Sequence, residues 1–220
     1  MKKFVCFCLT LIMVLPFLNG CAQKETARVI QVKSPNVIYI YNPDNVDAWE
    51  DEVNCVVRGV LWDNAEEFLR DTLTASGDTD GLINSGGGWT VSTLEITGVI
   101  KGDVLPGDTL RLAEPYFTME AEGETDIFID RYYPDRYAPA EPGKEYIFFL
   151  EEMNEPYEVL SDAYLPAFKI YNRFPVVSPQ SSVSRKDLLM QNLSETEKDI
   201  LGSDETWLDF YQQAIDKYMK

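Results

Sequence analysis

The 220-residue chain contains no histidine. A Ser-His-Asp or Cys-His nucleophile needs an imidazole to take its proton. Histidine-ligated zinc, copper and haem sites need one as a ligand, so all of these are excluded. Cysteine is scarce, with four in all: Cys6, Cys8, Cys21 and Cys55. Basic residues are outnumbered, 19 against 37 acidic, for a formal charge of −18. A surface of that sign is repelled by phosphate backbones and anionic headgroups, which argues against nucleic acid as a partner. No apolar run reaches the roughly 20 residues that a helix needs to cross the hydrocarbon core. Internal repeats and low-complexity blocks are absent as well.

What is present begins at the N-terminus. Lys2 and Lys3 precede an apolar run from Phe4 to Leu18, broken only by Thr10 and Pro16. A charged segment before a short apolar one is the pattern of a secretory signal. The run ends in Leu18-Asn19-Gly20-Cys21, which resembles the lipobox of bacterial lipoproteins, although Asn19 stands where a smaller residue is commoner. The resemblance implies cleavage before Cys21 and a diacylglyceryl thioether on its sulfur. The expected protein is therefore extracytoplasmic and lipid-anchored to the cell membrane, or to an outer membrane where the cell has one. Two acyl chains hold a protein far more firmly than one. Without residues 1–20 the balance becomes 17 basic against 37 acidic, or −20. Cys55 is then the one thiol left without a lipid, so no internal disulfide can form and a buried, inert side chain is expected.

Residues 21–36 read as a polar tether, and a strand is expected in "NVIYIYN". The acidic stretch "PDNVDAWEDE" reads as a helical turn. Its Asp44, Asp47, Glu50, Asp51 and Glu52 form either a solvated acidic face or a calcium site. "VNCVVRGVLW", residues 53–62, is apolar on both faces and reads as a buried strand. Residues 64–75 fit either a short helix capped by Asn64 or another strand. Residues 75–88 read as a turn-rich loop, and the run of three glycines that ends it lacks the lysine of a phosphate-binding loop. "WTVSTLEITGVI", residues 89–100, reads as a long strand with Leu94, Ile96 and Ile100 on one face and a bend at Gly98. Lys101-Gly102-Asp103 and Pro106-Gly107-Asp108 are turns, and "PGKEYIFFLEEM" is a turn followed by a strand. After residue 183 the period changes. Ser184, Ser194 with Glu197, and Ser203 each open a helical segment. Trp207, Phe210, Tyr211, Ala214, Ile215 and Tyr218 form a stripe expected to dock on the barrel.

The order "VVRGVL", "EITGVIKGDVLPGDTLRL", "PGKEYIFFL", "FKI" resembles the netrin-like, inhibitor-of-metalloproteinase-like OB barrels found in bacterial lipoproteins. The similarity covers roughly residues 50–171 and rests on turn chemistry and strand order. It implies a mainly β fold: a small closed OB-like barrel over 37–183 with a C-terminal helical segment, 184–220, packed on it. The inhibitors of that family act through a free N-terminal cysteine amine fixed by disulfides. An acylated Cys21 without a disulfide lacks that arrangement, so the mechanism does not transfer with the fold.

The functional expectation is a non-enzymatic binding module of the envelope, with no cofactor and no metal, whose partner is an envelope protein or a glycan. The candidate patch is "DRYYPDRYAP", where Arg131, Tyr132, Tyr133, Arg136 and Tyr137 gather guanidinium and aromatic groups in an acidic chain. A calcium-dependent adhesion or sensing module is one alternative. A hydrolase using paired carboxylates, drawn from Asp126, Asp130, Glu151 and Glu152, is the other.

Overall fold

The computed structural model describes residues 28–31, 44–69, 88–121, 124–129, 137–153, 160–167, 172–177 and 185–219. The fold is mainly β, with a closed five-stranded barrel and C-terminal helices. In chain order the elements are β1 (Arg28–Gln31), α1 (Val46–Glu52), β2 (Cys55–Leu61), β3 (Glu66–Leu69), β4 (Gly88–Lys101), β5 (Thr109–Glu114), β6 (Tyr116–Ala121) and β7 (Glu124–Ile129). These are followed by β8 (Glu145–Glu152), β9 (Ala163–Pro166), β10 (Arg173–Pro175), α2 (Arg185–Gln191), α3 (Glu195–Leu201) and α4 (Glu205–Tyr218). β2 pairs with β4, β4 with β5, β5 with β9, β9 with β8, and β8 with β2 again. Every pairing is antiparallel except β5 with β9, which is parallel. Along the chain these are the barrel's first, second, third, fifth and fourth strands, the order expected of an OB-like ring. β3 extends the sheet beside β4, and β10 flanks β8.

Alternation along the strands sorts side chains between two cores. Cys55, Val57 and Leu61 of β2 meet Leu94, Ile96, Leu112, Tyr146, Phe148 and Leu150 inside the ring. Val56, Ile147 and Phe149 point outward, under α1 and the C-terminal helices. β2 and β8 are thus buried on both faces, which is why they read as continuous apolar runs. Gly59 is required by close approach: a Cβ there would lie 2.6 Å from Leu94 Cδ1 and 2.8 Å from the Glu95 carbonyl oxygen.

The long strand departs from the expected parity. Arg58 pairs with Gly98 and Gly59 with Ile96, so Thr97 is an extra residue on β4. A bulge of this kind reverses the faces beyond it. Leu94 and Ile96 lie in the barrel interior, Val99 joins them, and Ile100 packs outside against the helical core. Leu94, Ile96 and Ile100 therefore do not share a face. The bend falls next to Gly98, but a Cβ on that glycine would meet only Arg58 at ordinary contact distance, 3.6 Å or more. The two turns follow the expectation, with Gly102 at φ 116° and Gly107 at φ 94°.

Residues 66–69 form a strand, and the Asn64 side chain bonds to Thr93 instead of capping a helix. Arg28–Gln31, expected within the tether, pairs parallel to β7, which also pairs with β6 to form a separate three-stranded sheet. Val29 and Ile30 are β-branched and favour extended backbone, which the polar composition of the segment obscures. The strand expected in "NVIYIYN" and the loop over 75–87 lie outside the described residues.

Ser194 and Glu197 form the expected capping box. The cap of α4 is Asp204, not Ser203; its side chain accepts from the Trp207 N–H at 2.9 Å. Trp207, Phe210, Tyr211 and Ala214 are buried, with Phe174 of β10 stacked on Tyr211 at 5.7 Å and the Tyr211 hydroxyl donating to the Pro175 carbonyl. The C-terminal stripe docks on the barrel as expected. Among the described residues, no helix is long and apolar enough to cross a membrane.

Candidate functional site

Cys21 lies outside the described residues, as do Arg131, Tyr132, Tyr133 and Arg136 of the expected patch. Tyr137 is described, and it is not a surface group. It is 2% exposed, and its hydroxyl donates to Glu114 Oε1 at 2.6 Å. Its ring lies 6.5 Å from that of Tyr116 and under the Arg173 guanidinium at 5.8 Å. A tyrosine with an apolar body and a hydroxyl partner inside is stable there, so Tyr137 anchors the segment instead of meeting a ligand.

Around Tyr137 the fold buries a charge cluster that no local sequence pattern announces. Glu114, the last residue of β5, is 1% exposed and also accepts from the Ala140 N–H at 2.9 Å. Arg173, at the start of β10, is 3% exposed; it donates to the Ala138 carbonyl and to Glu197 Oε1 at 3.3 Å. Its guanidinium also stacks 5.0 Å over Tyr146. Glu197 of α3 is 1% exposed and accepts from Lys144 Nζ at 2.8 Å and from the Ser194 N–H at 2.9 Å. One carboxylate thus serves both the capping box and the seam between helix and barrel.

The two buried carboxyls are held in opposite directions. Burial pushes Glu114 above the usual carboxylate range, and Glu197 adds to this against the pull of Arg173 and the Tyr137 bond. For Glu197 burial acts the same way, but Arg173 and Lys144 outweigh it and hold the group below that range. Neither carboxyl is open to solvent, so the cluster's evident work is to hold residues 137–144, β10 and α3 together.

The other candidates are also tied into the structure. Lys217 of α4 pairs with Asp47 and, at 2.7 Å, with Glu50; the Tyr218 hydroxyl bonds Glu50 as well. Lys101 donates to the carbonyls of Glu50 and Asp51. The acidic stretch is the seam between α1 and α4. Among the described residues, no group of three acidic or cysteine side chains is placed to hold a metal ion. Glu151 and Glu152 are neighbours on β8, so their side chains leave opposite faces and do not converge on one substrate. Only the backbone of Asp126 is described, and Asp130 lies outside. Cys55 is buried, and burial pushes its thiol up to about 11, which suits the inert role expected of it.

Among the described residues, a group of exposed polar and aromatic side chains lies on the outer face of β2, β4 and β5. Trp62, which follows β2, is 46% exposed, and its indole N–H donates to Glu95 Oε2 at 3.0 Å. Its backbone N–H donates to the Thr93 carbonyl at 2.9 Å, and the Asn64 amide both donates to and accepts from Thr93. Cross-strand pairing sets Thr109 opposite Glu95 and Arg111 opposite Thr93, and Arg111 is ion-paired with Asp162. The signal for this face was available in the period-two pattern of β2, since an inward Leu61 puts Trp62 outside. No family model, curated protein or solved structure matches the chain.

Proposed function

We propose that the protein is an extracytoplasmic lipoprotein, anchored through a diacylglyceryl thioether on Cys21, and that its barrel is a non-enzymatic binding module of the cell envelope. The observation that carries this reading is the run from Lys2 and Lys3 through the apolar segment to Leu18-Asn19-Gly20-Cys21. The start of β1 at Arg28 supports a close tether. Six residues lie between it and Cys21, and the seven Cα steps fully extended reach no more than about 25 Å. The sheet of β1, β7 and β6 would then face the membrane. A relation to the netrin-like barrels is part of this reading at the level of fold alone.

Metabolic labelling with an alkyne fatty acid tests the anchor. The wild-type chain should take the label and partition with membranes, and Cys21→Ser should do neither; an unlabelled wild-type chain refutes it. For binding, crosslinking in the native envelope should capture a partner that is lost in Tyr132→Ala/Tyr133→Ala, with Tyr137 kept intact because it belongs to the interior. Equal capture by that variant removes the 131–136 segment from the proposal.

A further inference from the structure

We propose that the outer face around Trp62 is a carbohydrate-binding platform that takes an uncharged oligosaccharide of the envelope. This rests on the binding-module reading above and gives it a place and a ligand class.

Trp62 is held from its edge. The indole N–H lies in the ring plane, so bonding it to Glu95 fixes the ring without covering a face. The Trp62 backbone is fixed as well, through its bond to the Thr93 carbonyl. A fixed, half-exposed aromatic face offers an apolar plane at little cost in conformational freedom. The C–H face of a pyranose ring is the complementary surface.

The surroundings are polar with hydrogen-bonding capacity to spare. Glu95 uses Oε2 on the indole, leaving Oε1 as an acceptor. The Asn64 amide uses one of its two N–H groups on Thr93. The exposed Thr109 hydroxyl can donate and accept. Such a mixed set suits vicinal hydroxyls, each of which both donates and accepts.

Two observations separate this ligand from others. Glu95 bonds the edge of the ring and the adjoining Asp63 is exposed, in a chain of charge −18, so an anionic polymer would be repelled. Among the described residues, the exposed large hydrophobic side chains are Trp62 and Leu105 alone. Protein hot spots sit in well-packed, desolvated pockets, whereas Trp62 is 46% exposed with exposed Asp63 and Glu95 next to it.

The four tryptophans make the test direct. Trp49, Trp89 and Trp207 are 3%, 3% and 1% exposed, so acrylamide quenching of fluorescence in the full chain reads Trp62. Dextran, laminarin, galactomannan and chitohexaose are the uncharged probes, with hyaluronan as the anionic contrast. At least one uncharged probe should protect Trp62 from acrylamide and retard the protein in affinity electrophoresis, while hyaluronan does neither. Trp62→Ala should weaken the retardation by about tenfold or more, as loss of a single aromatic anchor does. Trp62→Phe, which keeps a ring, should lose less.

The proposal is overturned if none of the uncharged probes protects Trp62, if Trp62→Ala is retarded as strongly as wild type, or if hyaluronan binds equally well. A captured envelope protein that shields Trp62 where no saccharide does overturns it too. Cys21 labelling and partner capture read the anchor and the module independently, so each idea can fail alone.

Discussion

Replacing Arg173 with methionine keeps much of the side chain's length and removes a guanidinium that acts on both Glu114 and Glu197. Both carboxyls are about 1% exposed, and Arg173 is itself 3% exposed. Removing one partner of a buried ion pair leaves an uncompensated charge and costs about 3–5 kcal/mol. Among the described residues Glu197 keeps Lys144, whereas Glu114 keeps neutral donors from Tyr137 and Ala140, so Glu114 becomes the weak point.

The pH dependence follows with a definite sign. In the wild type, Glu114 has a raised folded pKa, so the folded state holds its proton more tightly than the unfolded chain does. Its contribution is present below the unfolded value of 4.5 and is lost as pH rises through the folded value. Glu197 is lowered, so its contribution is present above 4.5 and lost as pH falls through its folded value. Without Arg173 both groups move upward. The variant should therefore lose most stability at neutral pH and recover part of it near the pH where carboxylates protonate. Urea unfolding at a series of pH values measures this. Adding Glu114→Gln to the variant should restore part of the loss at neutral pH. A loss under about 1 kcal/mol at neutral pH, in the range of an exposed pair, would refute the reasoning. So would a loss that does not vary with pH.

Three further outcomes follow from the packing. Trp207→Ala should destabilise by about 3–5 kcal/mol in urea unfolding, because Trp207 is 1% exposed and sits against Phe174 and Tyr211 in the helical core. Gly59→Ala should cost about 1–3 kcal/mol, since the added methyl meets the Glu95 carbonyl, which β4 pairing holds in place; an unchanged urea midpoint would contradict the fit. Cys55 should resist thiol reagents in the native chain at pH 8 and react promptly in urea, because burial pushes its pKa up to about 11; prompt native labelling would mean the barrel interior opens.

What could be read from the sequence depended on whether the cause was local. The turns at Gly102 and Gly107, the buried run of β2, the Ser194 capping box and the stripe on α4 each arise from spacing within a few residues. The Thr97 bulge does not, because an extra residue shows only against a partner strand, and the expected face of Ile100 failed for that reason. The buried cluster was harder still. Glu114, Tyr137, Arg173 and Glu197 come from four separate stretches, and the pairing partners of a buried charge lie 23 to 24 residues away, for Glu114 with Tyr137 and for Arg173 with Glu197. Tyr137 looked like a surface anchor because tyrosine serves both settings, and only the carboxyl beneath it decides between them.

The same long-range pairing explains how a chain of charge −18 tolerates a compact fold. Apart from Lys198, which pairs with Glu195 within α3, the basic side chains that are described sit where elements meet. Lys217 and Lys101 tie α1 to α4 and β4, Arg58 holds the C-terminal Tyr218 carbonyl, and Arg173 and Lys144 bind α3 to the barrel. Arg111 of β5 pairs with Asp162 in the turn before β9, across the parallel closure of the ring. The exposed pairs among these, Arg111 with Asp162 and Lys217 with Asp47, contribute at most about 1 kcal/mol each. Their value here is in placing the scarce positive charge where acidic elements would otherwise repel one another. The helical cap, stapled in this way, covers the outer side of β2 and β8. On the other outer face, where Trp62 follows β2, the exposed indole comes together with the exposed Glu95 of β4 and Thr109 of β5.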